Sequence, residues 1–284
     1  MFRSLMIATS LACLSAGAAF ADTAPTAESV AADPANWRKV DPENLILFQT
    51  TVGDIVIEIF PEAAPAHAVQ FRTIVESGDF DGTTFHRVID DFMAQGGDIF
   101  ALKGRESGLP DIPGEFTFRR DPAAMPLAPI GEADTARAGY IKGFPVMTQA
   151  AWLADMSKDG MVQTHIPHCP GVVSTARTDD PDSANSQFFL MRGRSEHLDK
   201  QYTAWGRIIE GAELVYHIKT GEPVSNPDIL TRAVMASSLP EGETLEAWVQ
   251  RTDGPLFLET LAAETPTGDE DVCKLPAVPA VVVR

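Results

Sequence analysis

Positive charge is scarce in this sequence. Its 284 residues include 22 lysines and arginines against 40 aspartates and glutamates, which gives a formal net charge of −18 at pH 7. A chain this acidic is repelled by the phosphates of nucleic acids and by anionic lipid surfaces. We therefore expect neither nucleic acid nor a charged membrane surface among its partners.

Long apolar segments are scarce as well, and the one that stands out is N-terminal. Residues 5–20 are almost without polarity, follow the early charge of Arg3 and end in Ala19-Phe20-Ala21, which is the pattern of a secretory signal peptide. The run is too short and too rich in alanine and serine for a membrane span, which needs about 20 strongly apolar residues. We expect residues 1–21 to be a signal peptide, and the protein to be exported to the periplasm without a membrane span.

Cysteine is rare too, with three in the whole sequence. Lipidation at Cys13 is a weaker alternative to cleavage after Ala21, because the leucine before Cys13 stands one position too late. Removal of residues 1–21 leaves Cys169 and Cys273, which can pair in an oxidising compartment. The sequence leaves a disulfide and two free thiols equally open.

What the sequence does contain is a succession of short segments with the alternation of β-strands. Residues 45–51 and 54–60 are rich in Ile, Val and Thr, with Gly53 between them as a turn. Further strands are predicted at 85–89, 93–97, 171–176, 187–191, 203–209 and 230–236. Two helices are predicted beside them, one from Pro65 to about Ser77 and one over residues 211–219. Many short strands with few helices predict a mainly β protein with an antiparallel barrel.

Three parts of the chain fall outside this main domain of residues 43–236. Residues 22–42 are predicted to be a linker with no packing face. Residues 121–167 are predicted to be an inserted α/β segment, extended at 139–147, helical at 149–158 and extended again at 161–166. Residues 237–284 are predicted to be an extension with a helix at 243–251, where Leu245, Trp248 and Val249 share a helical face, and a loose tail from residue 265.

A candidate site lies in residues 83–98, TTFHRVIDDFMAQGGD. Alternation places Phe85, Arg87 and Ile89 on one face of a strand. A turn at residues 90–91 folds the next strand back, so Gln95 is expected close to Arg87. The pattern therefore predicts a guanidinium and an amide beside apolar surface; the alternative is an ordinary surface arginine paired with Asp90 or Asp91.

Four ordered motifs carry a resemblance to a known family. They are FHRVI at residues 85–89, FMAQGGD at 92–98, Ala176-Arg177, and DSANSQFF at 182–189. In this order and spacing, over residues 45–236 apart from the insertion, the sequence closely resembles the cyclophilins, which are peptidyl-prolyl cis–trans isomerases. The resemblance implies a closed antiparallel eight-stranded cyclophilin-like β-barrel capped by two helices.

The resemblance also implies an activity and a set of site residues. Such an isomerase binds X-Pro segments and accelerates rotation about an amide bond whose barrier is about 20 kcal/mol, which requires neither a nucleophile nor a cofactor. Arg87 corresponds to the donor to the prolyl nitrogen, and Gln95 orients the substrate carbonyl or Arg87. The residues expected to line the site are Phe92, Met93, Phe189 and Leu198 around the proline, Ala176, Arg177 and Gln187 along the groove, and Tyr202 at a position that is usually histidine.

The expected partners are proline-containing polypeptides that are unfolded or folding, with no metal or cofactor, and a monomer is favoured. Two departures from the family pattern bear on function. Asp90-Asp91 stands where relatives often have Pro-Gly, and this acid pair could damp the electrostatic effect of Arg87. His197 stands where an aromatic such as tryptophan is common, so sensitivity to cyclosporin is open.

Other functions remain as alternatives. The same fold could serve as a binding module or chaperone with little turnover, in which the acid pair and the insertion alter the groove. A metal-dependent hydrolase built on His165 and His168 is remote, because no second pair of ligands accompanies them. The acidic residues 179–182 lack the ligand order of a calcium loop and are interpreted as a solvated turn. Retention of Arg87, Phe92, Gln95 and Phe189 together favours the isomerase.

Overall fold

A computed structural model of the chain describes residues 24–284. The predicted signal peptide, residues 1–21, and the alternative lipidation site at Cys13 lie outside these described residues. Within the described part, no helix is both long and apolar enough to cross a membrane.

The described residues form seventeen β-strands, four α-helices and six short 3₁₀-helices. The strands are β1 (Trp37–Lys39), β2 (Leu45–Thr50), β3 (Gly53–Ile59), β4 (Thr83–Thr84), β5 (Arg87–Ile89), β6 (Met93–Gly96), β7 (Phe118–Arg120), β8 (Ala128–Pro129), β9 (Ala138–Ile141), β10 (Phe144–Thr148), β11 (Val162–His165), β12 (Val172–Thr175), β13 (Phe188–Met191), β14 (Ala204–Glu210), β15 (Ile229–Met235), β16 (Glu246–Gln250) and β17 (Ala280–Val283). The α-helices are α1 (Ala27–Ala31), α2 (Pro65–Glu76), α3 (Ile99–Lys103) and α4 (Pro255–Glu264). The 3₁₀-helices are Pro42–Asn44, Ala151–Met156, Glu196–Leu198, Ala212–His217, Ala236–Ser238 and Val272–Lys274.

The main sheet is a curled, open half-barrel of nine strands in the order β4-β15-β2-β3-β14-β12-β13-β6-β5. The mainly β prediction is confirmed, whereas the closed eight-stranded barrel is wrong. The edge strands β4 and β5 follow each other along the chain and do not pair. Between them, the Phe85 N–H donates to the Asp228 carbonyl, and the His86 carbonyl accepts from the Val224 N–H. These backbone groups bond to the segment after β14, so the seam between the edges stays open.

Both faces of the main sheet are buried, which explains the nearly continuous apolar character of its central strands. Along β2, Ile46 and Phe48 pack toward α2, whereas Leu45 and Leu47 pack toward the insertion and the C-terminal extension. The two faces therefore belong to two separate apolar clusters.

Helix α2 covers one face, as predicted. Proline at its first position is compatible with helix initiation, because the missing N–H has no partner there in any helix. Its Phe71 stacks on Trp205 of β14, with ring centroids 4.2 Å apart. The second predicted helix, over residues 211–219, is a 3₁₀-helix at Ala212–His217 and not an α-helix.

The insertion forms its own five-stranded antiparallel sheet in the order β7-β11-β10-β9-β8. Strands β9 and β10 are joined by Lys142 and Gly143, both with positive φ, which is the two-residue turn that matches strand twist. The segment predicted as extended at 139–147 is the β9–β10 hairpin, two strands and not one, and the segment predicted as extended at 161–166 contains β11. The segment predicted as a helix at 149–158 contains the 3₁₀-helix Ala151–Met156.

Both ends of the described chain are more ordered than the sequence indicated. Strands β1, β16 and β17 form a third sheet, and Val30 of α1 is buried, so the described part of the predicted linker, residues 24–42, does have a packing face. The helix predicted at 243–251 is wrong: β16 occupies this stretch, with Ala247 and Val249 buried on one face at strand spacing. The tail from residue 265 is not wholly loose, because it ends in β17.

A disulfide joins Cys169, at the start of the segment leading into β12, to Cys273 in the extension, with their Cα atoms 4.9 Å apart. The question left open by the sequence is thus answered in favour of pairing. The bond fixes the extension to the main domain.

A buried ion cluster joins the same parts without covalent bonds. Glu58 of β3 accepts hydrogen bonds from Arg207 of β14, at 3.2 Å from Nε and 3.0 Å from Nη2. Its other oxygen lies 2.5 Å from Nη2 of Arg38 in β1, which also donates to the Lys142 carbonyl in the β9–β10 turn. Glu58 and Arg207 are about 95% buried. One carboxylate therefore binds the main sheet, the insertion and the N-terminal segment together.

Substitution of Glu58 tests this cluster. We expect Glu58→Gln to lower the free energy of unfolding by about 3–5 kcal/mol, because it leaves Arg207 buried without a counter-charge. Denaturant unfolding measures the loss. The matched control is Glu246→Gln, which removes a carboxylate whose pair with Lys39 is exposed and should cost less than about 1 kcal/mol. Equal losses in the two variants would contradict a special role for Glu58.

Candidate functional site

The predicted site hairpin is formed by β5 and β6. Arg87 and Gln95 are direct cross-strand partners in its register, so the predicted proximity of the two side chains is confirmed. The following glycine, Gly97, has φ +77, and a Cβ placed there would lie 2.8 Å from the Ser186 carbonyl oxygen. Only glycine allows β6 to approach the segment before β13 this closely.

A cavity of about 120 Å³ lies beside Arg87. Nine of the ten predicted site residues line it: Arg87, Phe92, Met93, Gln95, Ala176, Arg177, Phe189, Leu198 and Tyr202. The tenth, Gln187, lines an adjoining groove of about 560 Å³ that shares Gln95, Ala176 and Arg177 with the cavity. The structure thus brings all ten residues together, and their individual roles remain predictions.

The floor of the cavity is apolar and fixed by sheet pairing. Met93 and Phe189 lie on the adjacent strands β6 and β13, and both are nearly fully buried, as is Leu198 in the 3₁₀-helix Glu196–Leu198. Phe92 is less buried and packs near the His197 ring, with centroids 5.7 Å apart. A rigid apolar floor with a half-exposed rim suits a small apolar ring better than a charged group.

Polar groups at the cavity form a chain of contacts. Nη1 of Arg87 lies 3.5 Å from Oε1 of Gln95, at the limit of a hydrogen bond, and Nε2 of Gln95 donates to Oε1 of Gln187 at 2.8 Å. These contacts fix the orientation of the Gln95 amide. Its oxygen faces the guanidinium and its nitrogen faces the adjoining groove.

The acid that contacts Arg87 was not predicted. Oε1 of Glu222, from the loop before β15, lies 2.5 Å from Nε of Arg87. Asp90, which the alternative interpretation of the sequence paired with Arg87, instead accepts from Nη2 of Arg192 at 2.9 Å. Sequence reasoning missed Glu222 because it lies 135 residues from Arg87, and no local pattern marks it.

Arg177 is held against aromatic rings. Its guanidinium carbon lies 4.4 Å from the Tyr202 ring centroid and 5.9 Å from that of Phe116. Its nitrogens also donate to the backbone carbonyls of Gln201 and Thr178. Arg177 is therefore a fixed wall of the groove. Phe116, in the segment leading into the insertion, is a second residue that sequence reasoning missed.

A buried polar network supports the floor from below. Asp199 accepts hydrogen bonds from the backbone N–H of His168 at 2.8 Å and from both terminal nitrogens of Arg194. The His168 ring stacks on Phe189, with centroids 6.1 Å apart, and also contacts Ser174. Burial would raise the pKa of Asp199, but its hydrogen bonds from His168 and Arg194 prevail and lower that pKa to about 2.

Of the two histidines considered for metal binding, His168 is held by other residues. Both ring nitrogens of His168 have protein partners, Asp199 and Ser174. Burial, the largest effect, lowers the pKa of His165 to about 4. Among residues 24–284, no group of three or more His, Cys, Asp or Glu side chains is arranged to hold a metal ion.

Comparison with known proteins assigns this site to a family. Residues 45–237 match the sequence profile described as "Cyclophilin type peptidyl-prolyl cis-trans isomerase/CLD". The chain belongs to the cyclophilin family. Its enzyme class is peptidyl-prolyl cis–trans isomerase.

Individual relatives support the assignment. The "Probable peptidyl-prolyl cis-trans isomerase" of Brucella abortus is 32% identical over 201 residues, which cover 69% of this chain and 84% of that protein. The peptidyl-prolyl cis–trans isomerase cyp18 of Streptomyces antibioticus is 31% identical over 201 residues, covering 66% and 93%. The crystal structure of cyclophilin AquaCyp293 from Hirschia baltica is similar with a TM-score of 0.87 and 50% identity, covering 92% of this chain and 98% of that one.

The high coverage by the Hirschia baltica structure extends beyond the matched domain. The family match, residues 45–237, does not include the third sheet. The Hirschia baltica structure nevertheless aligns with 92% of this chain. The insertion and the extension are therefore shared with at least one other cyclophilin.

Substitution of Asp199 tests the support beneath the cyclophilin site. Because the Asp199 pKa is depressed from 3.8 to about 2 on folding, the carboxylate's contribution to stability is fully present above about pH 4 and is lost as the pH falls toward 2. We expect Asp199→Asn to lower the free energy of unfolding by about 2 kcal/mol at pH 7. The difference from wild type should shrink between pH 4 and pH 2.

Denaturant unfolding at several pH values measures both effects. The matched control is Glu196→Gln, an exposed carboxylate in the adjacent 3₁₀-helix, which should change stability little at any pH. A loss in Asp199→Asn that stays constant down to pH 2 would show that the charge of Asp199 is not what matters.

Proposed function

We propose that this cyclophilin catalyses prolyl isomerisation by donating a hydrogen bond from Arg87 to the prolyl nitrogen of the twisted amide. The observation that carries the proposal is the position of the Arg87 guanidinium at the edge of the apolar cavity, directly across the strand pair from Gln95. The proline ring occupies the cavity between Phe92, Met93, Phe189 and Leu198.

The chemistry of the amide explains why an arginine serves here. In the planar ground state the nitrogen lone pair is delocalised into the carbonyl, so it accepts hydrogen bonds poorly. Rotation localises the lone pair on nitrogen, and a donor aimed at it becomes stronger in the transition state than in the ground state, which is the requirement for catalysis. Arginine stays protonated at all relevant pH values and presents its donors in a rigid fork.

Gln95 orients the substrate in this proposal. Its amide nitrogen already donates one hydrogen bond to Gln187 and has a second N–H for the substrate carbonyl. Ala176, Arg177 and Gln187 line the groove for the residues before proline, and Tyr202 closes the cavity beside Arg177. A peptide held on both sides of its prolyl bond is thereby positioned for rotation about that bond.

Removal of the arginine donor tests the mechanism. We expect Arg87→Ala to lower kcat/KM on an X-Pro peptide by about 100-fold, the usual cost of losing one donor to a transition state. A protease-coupled assay or exchange spectroscopy measures the rate. The matched control is Arg119→Ala, an exposed arginine of the insertion paired with Asp159, which should keep full activity.

Three outcomes separate the candidates. Loss of activity in Arg87→Ala, with full activity in Arg119→Ala, supports the mechanism. Undiminished activity in Arg87→Ala contradicts it. Peptide binding by the wild type without turnover would favour the binding-module alternative.

We further propose that the protein is exported to the periplasm, where it assists the folding of exported proteins. The support is the signal-peptide pattern of residues 1–21 together with the Cys169–Cys273 disulfide, since such bonds persist in oxidising compartments. Its clients would be folding chains whose X-Pro bonds isomerise slowly, over tens of seconds or more.

Fractionation of cells that express the full chain tests the export proposal. We expect the protein in the periplasmic fraction, with Asp22 as its first residue by N-terminal sequencing. Both Cys169 and Cys273 should resist alkylation until a reductant is added. Recovery of an uncut chain with reactive thiols from the cytoplasm would overturn the proposal.

A further inference from the structure

A loop distant in sequence brings a carboxylate to Arg87. Oε1 of Glu222 lies 2.5 Å from Nε of Arg87, and the contact is both a hydrogen bond and an ion pair. Glu222 is not among the residues that line the cavity. It therefore contacts the site through Arg87 and not through the cavity lining.

The loop that carries Glu222 is fixed to the strand that carries Arg87. Val88 and Gly221 exchange both backbone hydrogen bonds, at 2.9 and 2.8 Å, and the Val224 N–H donates to the His86 carbonyl at 2.9 Å. His86 and Val88 are the neighbours of Arg87 in the chain, and Gly221 and Val224 flank Glu222 in the loop. The carboxylate is thus held opposite Nε by backbone bonds that do not depend on its own side chain.

A second anchor holds the base of the loop. Asp228 lies directly before β15. It accepts hydrogen bonds from the Lys219 N–H at 2.9 Å and from Oγ1 of Thr51 at 2.9 Å. Burial would raise the pKa of Asp228, but these hydrogen bonds lower it, so the carboxylate stays ionised. The loop between Lys219 and Asp228 is closed at its base as well as along β5.

The Arg87 side chain needs such a partner. It is 36% exposed, and its remaining contact with Gln95 is long at 3.5 Å. A long flexible side chain without a strong partner samples many rotamers, and only some of them aim its donors into the cavity. An acceptor at Nε fixes the plane of the guanidinium and leaves the terminal amino groups free.

We infer that Glu222 is a positioning residue that holds the Arg87 guanidinium with its terminal N–H groups directed at the prolyl nitrogen. This inference rests on the proposed catalytic role of Arg87. It extends that role by assigning a function to a loop that has no place in the four motifs of the family resemblance.

The charge of Glu222 has an opposing effect, but a smaller one. A carboxylate beside a guanidinium weakens the positive potential at the cavity. However, the group that Arg87 stabilises is the lone pair of a neutral nitrogen, whose interaction depends on the direction of the N–H bond. Orientation therefore outweighs charge, and removal of Glu222 lowers the activity.

Kinetic measurements on Glu222 variants test the inference. We expect Glu222→Ala to lower kcat/KM on an X-Pro peptide by about tenfold, with most of the loss in kcat, because substrate binding in the cavity is left intact. Glu222→Gln should stay within about twofold of wild type, since its amide oxygen still accepts from Nε. Glu213→Ala, which removes an exposed carboxylate from the preceding 3₁₀-helix, serves as the matched control and should have wild-type activity.

A double variant separates positioning from a general structural effect. In the Arg87→Ala background, adding Glu222→Ala should change kcat/KM by less than twofold, because the group to be positioned is gone. Thermal unfolding of each variant verifies that the fold persists.

Four results would overturn the inference. The first is activity of Glu222→Ala at or above wild type, and the second is Glu222→Gln as impaired as Glu222→Ala. The third is a loss in Glu222→Ala that comes from KM alone. The fourth is an effect of Glu222→Ala that persists in the Arg87→Ala background. Full activity in Arg87→Ala is a different result. It contradicts the proposed role of Arg87 itself, independently of the results for the Glu222 variants.

Discussion

The position of one buried carboxylate, Glu58, determines how the three sheets of this cyclophilin meet. Glu58 lies on the face of β3 that looks toward the insertion and the extension, and it accepts from Arg207 in the main sheet and from Arg38 in the third sheet. Arg38 in turn binds the turn of the insertion sheet at Lys142. A charged group this buried is stable only with its partners present, so each of the three parts completes the environment of the others.

This arrangement reaches the substrate site through the apolar cluster on the same face. Met93, Phe189 and Leu198, which form the cavity floor, belong to the cluster that contains Phe144 of the insertion and Val249 of the third sheet. The insertion and the extension are therefore part of the core beneath the site. This explains why they can be large without covering the cavity, since they pack behind its floor.

The sequence predicted best what depends on neighbouring residues. The Arg87–Gln95 pairing follows from a two-residue alternation and a tight turn, and helix α2 follows from its proline start and helical spacing. The stretch at 243–251 was misjudged because Leu245, Trp248 and Val249 fit a helical face, whereas the burial of Ala247 and Val249 belongs to a strand. Propensity alone cannot separate these two periods over nine residues.

Barrel closure and the Glu222–Arg87 contact depend on backbone bonds between distant segments, and no local pattern encodes them. The alternative pairing of Arg87 with Asp90 fails for the same reason, since Asp90 pairs with Arg192, which is remote in sequence.

The disulfide joins two parts of the chain that are synthesised at well-separated times. Cys273 follows Cys169 by 104 residues. During synthesis, everything that lines the substrate site is made long before the second cysteine is available. A polypeptide that stops early would carry the whole isomerase domain together with one unpaired thiol at Cys169, beside His168 and the floor of the site. A free thiol at Cys169 thus marks a chain that has not yet reached Cys273, and formation of the disulfide removes that thiol.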